Sequence, residues 1–218
     1  MRNIRFSIVS IAVVTVFAGN ADAYADKTNL SGGWTPFAVD WSSETIFPPF
    51  GHDVMGLYVS GYPIDMDGER SVYGVQFNLL AGLAKTMYGT QVGLFNNAHD
   101  GYAAQMGIAN GMEDGFGIQA GLINNSSANG LQIGFDNSND NRFAIQVGVF
   151  NNLPFFGFLG GVSNRGGVQI GLANSSSDGG HVQIGLFNFA EASNWCLQIG
   201  LLCYRGDDGI SPLIGWHW

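Results

Sequence analysis

Charge is scarce in this chain: only 11% of its 218 residues are Asp, Glu, Lys or Arg, and Lys and Arg together number eight. Seventeen acidic residues outweigh them, giving a formal net charge of −9. A chain so poor in positive charge has no basic face with which to hold a nucleic-acid backbone. Cysteine occurs twice, at Cys196 and Cys203, too few for a disulfide framework. On one regular strand these two would stand roughly 23 Å apart, whereas a disulfide needs Cα atoms about 5.5 Å apart. Their odd spacing also predicts opposite faces, so they read as two small semi-apolar residues, with an intermolecular bridge as the alternative. After the first 25 residues no apolar run is long enough for a membrane-spanning helix. Apolar residues at three- and four-residue intervals are missing too, which argues against amphipathic helices.

What the chain has in abundance is glycine, 33 residues, and a short motif repeated along most of its length. Take Gln as position zero, with Gly at +2, an aliphatic residue at +3 and Asn at +5. Good copies stand at Gln91, Gln105, Gln119, Gln132, Gln146, Gln169 and Gln183. Weaker copies stand at Gln76, Leu159, Gln198 and Leu213, and Val54 with Gly56 offers a first unit. The spacing is mostly 13 to 15 residues, too short for helical solenoid repeats.

Around each Gln the residues alternate, as in Leu131, Ile133 and Phe135 against Gln132 and Gly134. Period two predicts a β-strand with one apolar and one polar face. Between copies lie turn formers such as Asn-Ser-Ser-Ala-Asn-Gly. Each unit therefore reads as a strand and a tight turn, the pattern of successive hairpins. The −3 slot, on the apolar face, holds Tyr88, Tyr102, Phe116, Phe143, Phe156 and Trp195. In an up-and-down meander these aromatics would form two girdles flanking an apolar band, as in transmembrane β-barrels. The fold class expected is thus all-β: an antiparallel meander of about twelve short strands closed as a transmembrane β-barrel. Ile133, Val147, Ile170, Ile184 and Ile199 would face lipid. Gln76, Gln91, Gln105, Gln119, Gln132, Gln146, Gln169, Gln183 and Gln198 would line the lumen.

A β-solenoid of 13–15-residue repeats is the alternative, because near-identical motifs would stack Gln on Gln and Asn on Asn. The turns also fail to alternate between long and short, as barrel turns usually do. Against the solenoid, segments such as Ser175 to Gly180 supply almost no apolar residues for a second side of each coil.

Residues 1–23 read as an export signal: Arg2 and Arg5 are followed by the apolar stretch from Phe6 to Ala18 and small residues before cleavage. Residues 24–50 carry no Gln motif and read as an arm or plug, or as one irregular strand, and 51–218 form the repeat domain. The final strand holds Ile214, Trp216 and Trp218, matching the aromatic C-terminal signal of outer-membrane barrels.

The units resemble the GLQIGLIN-type surface repeats of bacterial envelope proteins, over roughly residues 72–218. The best matches are Gln132-Ile133-Gly134, Gln169 to Asn174 and Gln183 to Asn188. The resemblance implies an exported surface protein and supplies no catalytic residues.

Chemistry-bearing clusters are few. His52, His99, His181 and His217 form no metal-ligand pair, Gly-x-Ser-x-Gly is missing, and Asp65 to Glu69 reads as a polar loop rather than a calcium loop. Neither cofactor nor metal is expected. The sequence therefore favours a non-enzymatic barrel of the bacterial outer membrane or cell surface, structural or weakly pore-forming. Its expected partners are outer-membrane lipid, the barrel-assembly machinery and small polar solutes passing a neutral lumen. A surface solenoid acting as adhesin or binding protein is the alternative, and an envelope hydrolase with a Ser–His pair assembled between strands is a remote one.

Overall fold

Successive repeats lie side by side and run in the same direction. The computed structural model describes residues 33–41, 44–47, 52–61, 70–139, 143–152, 166–177, 180–191, 195–206 and 209–217. In chain order its strands are β1 (Trp34–Trp41), β2 (Glu44–Phe47), β3 (Asp53–Ser60), β4 (Ser71–Met106), β5 (Ala109–Met112), β6 (Phe116–Ser126) and β7 (Asn129–Asn139). There follow β8 (Ala144–Asn151), β9 (Gly166–Ile170), β10 (Ala173–Ser176), β11 (Gly180–Ile184), β12 (Phe187–Ala190), β13 (Trp195–Arg205) and β14 (Gly209–His217).

The pairing is parallel and in register: Gln119 lies beside Gln132, Gln132 beside Gln146, Gln169 beside Gln183 and Gln183 beside Gln198. The antiparallel, closed barrel is therefore corrected to a parallel β-solenoid, and the porin-like reading falls with it. Hairpins would reverse each strand against the last, whereas here each chain segment returns and repeats the same path one layer along. Among the described residues antiparallel pairing survives only at the ends, where β2 folds against β1 and β14 against β13.

Each coil has two arms joined by a corner. One arm covers slots −3 to +1 and the other +4 to +7, with the Gly and aliphatic residue of +2 and +3 between them. Thus β11 and β12 are the two arms of one coil, separated at Gly185 and Leu186, and both stack on β13. The corner changes which parity faces inward. Before it the buried slots are even, as Ala103, Ala144, His181 and Cys196 at −2; beyond it they are odd, as Ala98, Met112, Ser126 and Ala190 at +7. Cys196 and Cys203 accordingly both point inward, correcting the expectation of opposite faces; both are free thiols.

Register also corrects the start of the array. Tyr58, not Val54, lies beside Gln76 in the zero slot, and Ala38 lies beside Tyr58. β1, within the stretch expected to be an arm or plug, thus stacks as a further layer. There the interior is Ala38, Val54 and Tyr58 rather than amide, with a buried ion pair between Arg70 Nη1 and Asp40 Oδ2 at 3.1 Å. The Tyr58 hydroxyl donates to the same carboxylate oxygen. Leu213 does not continue the array as a repeat: β14 runs the other way, and Leu213 takes φ 69° beside a register shift.

The +2 glycine is required by space. A Cβ on Gly134 would meet Gly121 O at 2.3 Å and Asn124 Nδ2 at 2.6 Å; one on Gly185 would meet Gly171 O at 2.3 Å and Asn174 Nδ2 at 2.6 Å. The obstacle is backbone of the preceding coil, held on both sides, so it cannot swing away. Gly134→Ala is expected to destabilise by about 1–3 kcal/mol or more, read as a lowered midpoint in urea. An unchanged midpoint would mean that the coils are not packed this closely.

Candidate functional site

The nine glutamines expected to line a lumen are instead enclosed between the two arms of their coils, each at most 2% exposed. Each from Gln91 to Gln198 donates through Nε2 to Oε1 of the Gln one coil earlier, at 2.7–2.9 Å. The second Nε2 hydrogen usually crosses the interior to the carbonyl at +6 of its own coil, as from Gln105 to Gly111 at 2.8 Å and from Gln132 to Ser138 at 2.9 Å. An amide nitrogen has two hydrogens, and both are used.

A second ladder runs beside it through Asn78, Asn96, Asn110, Asn124, Asn137, Asn151, Asn174 and Asn188. Each Nδ2 from Asn78 to Asn174 donates to Oδ1 of the Asn one coil later, at 2.7–3.0 Å. The two chains of amide dipoles thus point in opposite directions along the solenoid. From Asn96 onward the remaining Nδ2 hydrogen caps the +1 carbonyl of the next coil, at 2.9–3.1 Å. That carbonyl sits where the chain turns the corner and also accepts from the Gly N–H in several coils, as Gly185 N–H to Ile199 O. At +3, N–H groups bond between coils too, as Leu122 to Ile108 O and Leu172 to Val149 O. The corner edge is closed in hydrogen-bonding terms.

The apolar residues lie outside. The five aliphatics expected to face lipid, Ile133, Val147, Ile170, Ile184 and Ile199, are 36–47% exposed in one outward row. A second row at +3 follows the corner edge, with Leu94, Ile108, Leu122, Leu172, Leu186 and Leu201 all exposed. The aromatics Tyr88, Tyr102, Phe116, Phe143 and Trp195 are exposed as well, but in a single row. Two girdles required alternating strand direction, and every arm here points the same way. Part of the row is stacked: Tyr73 on Tyr88 at 5.2 Å and Tyr88 on Tyr102 at 5.9 Å between ring centroids. Ile214 and Trp216 are exposed on β14. Phe156, Trp218, residues 1–23 and the Asp65–Glu69 cluster lie outside the described residues.

Charge collects at the opposite edge, where the second arm turns back: Lys85, His99, Asp100, Glu113, Asp114 and Glu191 are all exposed there. His99 Nδ1 is 2.7 Å from Glu113 Oε2 across adjacent coils. Among the described residues no three His, Cys, Asp or Glu side chains converge as a metal site.

A buried carboxylate was missed by sequence reading. Asp136 occupies a +4 slot between Ile123 and Phe150 of the neighbouring coils, 3% exposed, with no donor to its Oδ2. Burial pushes its pKa up to about 6 from 3.8. The only signal was an acid in a slot that is apolar in most other coils.

The fold and its interior define a parallel β-solenoid filled by side-chain amides, polar within and apolar without. No protein-family model matches the chain, and neither a curated protein nor a solved structure is significantly similar to it.

Two predictions follow from this inversion of inside and outside. Gln132→Leu leaves Gln119 Oε1, Ser138 O and a Gln146 hydrogen unpaired, each at about 1–3 kcal/mol. Ile133→Arg alters a half-exposed side chain and should stay within about 0.5 kcal/mol. A lipid-embedded barrel would reverse that order, and urea denaturation in the absence of detergent distinguishes them. Asp136 supplies the second. Its folded pKa lies above its unfolded value, so the folded state holds the extra proton between about pH 4 and pH 6. Stability is therefore greatest below that window and falls as pH rises through it. Asp136→Asn should flatten the profile and add up to about 3 kcal/mol at neutral pH, measured by denaturation at a series of pH values.

Proposed function

We propose that the protein is an exported β-solenoid that works at the cell surface as a binding or adhesive module through its outer faces. The observation that carries this reading is the outward display itself: parallel rows of exposed Leu, Ile, Tyr and Phe repeated coil after coil. Contiguous exposed apolar surface on this scale marks interaction sites in folded proteins. The interior serves cohesion, its amides engaged with one another, while the exterior presents one motif many times over. Export is supported by the basic and apolar pattern of residues 1–23.

The test uses the full chain produced in bacterial cells, with Leu122→Cys as an outward reporter and Ala144→Cys as an inward one. Both native cysteines are buried. A membrane-impermeant maleimide should label Leu122→Cys on intact cells and leave Ala144→Cys unlabelled until the protein is denatured. Labelling of Leu122→Cys only after cell lysis would overturn the surface assignment.

A further inference from the structure

We propose that the partner of this outer surface is the interface of a lipid bilayer, into which the solenoid inserts corner edge first, its axis parallel to the membrane. The inference takes its surface from the binding role proposed above and names the chemistry of what is bound.

The corner row at +3 is aliphatic at Leu94, Ile108, Leu122, Leu172, Leu186 and Leu201, with Phe135 in the same slot. Back along the first arm come aliphatics at +1 and −1, then the aromatic row at −3, and finally the charged turns. Along the straight first arm, from +1 to −3 is four residues, about 13 Å, and the +3 side chains at the corner reach further still. One leaflet of hydrocarbon is roughly 15 Å thick. Aliphatics therefore span the depth of a leaflet, aromatics reach the headgroup level that Tyr and Trp favour, and charges stay in water.

Lipid also fits the shape of the patch. The apolar surface wraps the corner onto the second arm, where Leu80, Phe187 and Leu202 are exposed, and turns polar by +6 in the middle coils, at Asn97, Asn125 and Ser138. A second copy docked flat on the first arm would leave the wrapped corner in water, whereas a fluid phase covers it. Backbone groups in hydrocarbon must be satisfied internally. The corner meets that demand, since its amides bond coil to coil and its +1 carbonyls are capped by asparagine.

The charged edge indicates which lipid. Among the described residues it carries Asp100, Glu113, Asp114 and Glu191 against Lys85. Acidic side chains in the water just above the headgroups, within a Debye length of them, are repelled by anionic lipid, so zwitterionic bilayers are the favoured partner.

The experiment is flotation of the purified full chain with phosphatidylcholine vesicles, which does not depend on where the protein resides in the cell. The wild type should float with them, and less well when phosphatidylglycerol is added at low salt. Leu122→Glu with Leu186→Glu should weaken partitioning by roughly tenfold or more, with thermal unfolding in water unchanged because both side chains are exposed. An environment-sensitive dye at Leu122→Cys should shift to the blue on vesicles, and one at Asp114→Cys should not. Failure to float, equal shifts at both edges, stronger binding to anionic vesicles, or a stable dimer that excludes vesicles would each overturn the proposal. Surface labelling of cells could still succeed in any of those cases, so the two readings fail separately.

Discussion

The hydrogen bond between identical side-chain amides in successive coils is the interaction on which the rest of this structure depends. Parallel, in-register stacking brings each residue against its own kind about 4.8 Å away. Few polar side chains tolerate that when buried: like charges repel, and a lone hydroxyl cannot satisfy both neighbours and a carbonyl. A primary amide can, with two donors and an acceptor in one plane. Gln at zero and Asn at +5 meet the condition in nearly every coil, with spacings of 2.7–3.0 Å. Chains of such bonds polarise one another, and the opposed directions of the two ladders keep their dipoles from adding. The scarcity of charge noted in the sequence is the same constraint seen from outside: a charged residue in a stacked inward slot would face a ladder built for amides.

The inversion follows from this interior. With amides taking the inward slots, period-two alternation sends the large aliphatics outward. They are not wholly given over to solvent. Ile133, Ile170, Ile184 and Ile199 are 40–47% exposed, so about half of each side chain is covered by its neighbours in the row. Apolar stacking along the outside and amide bonding along the inside thus run parallel, and both depend on the same register. What remains uncovered is the surface available to a partner.

Much of this was legible in the sequence, and the errors have identifiable causes. The repeat came from the recurring Gln motif, and the strands and the outward placement of the isoleucines from period two. Period two, however, says that a strand has two faces without saying which is inside. Treating Gln132 and Asn137 as parts of one strand put them on opposite faces, because five is odd. Both are buried, which is possible only if the chain bends between them, and Gly134 is the residue at which it bends. An odd interval between two recurrent amides was the available signal for the corner. The objection that segments such as Ser175 to Gly180 could not line a second side assumed an apolar lining, whereas Asn174 and Ser176 supply a polar one. Asp136 was illegible for a different reason: its burial depends on Ile123 and Phe150 in adjacent coils, which no single repeat contains.

The variation in repeat length has a physical reading as well. From Gln91 to Asn188 the Gln-to-Asn interval is always five, while the Gln-to-Gln interval changes from 13 residues to 23. Despite the longer excursion between Gln146 and Gln169, those two still pair at 2.9 Å and Asn151 still reaches Asn174 at 2.7 Å. Two ladders fix the corner from within, so nothing can be added there without breaking both. Among the described residues the exposed charge lies at the opposite edge. The molecule is therefore divided into a fixed edge, uniform and apolar, and an edge of variable length, where the described residues carry the exposed charge. A uniform edge presents the same few side chains at every step and can discriminate little between partners of detailed shape. It suits a partner that is itself uniform along its length, as a bilayer is, and leaves specific recognition to the turns.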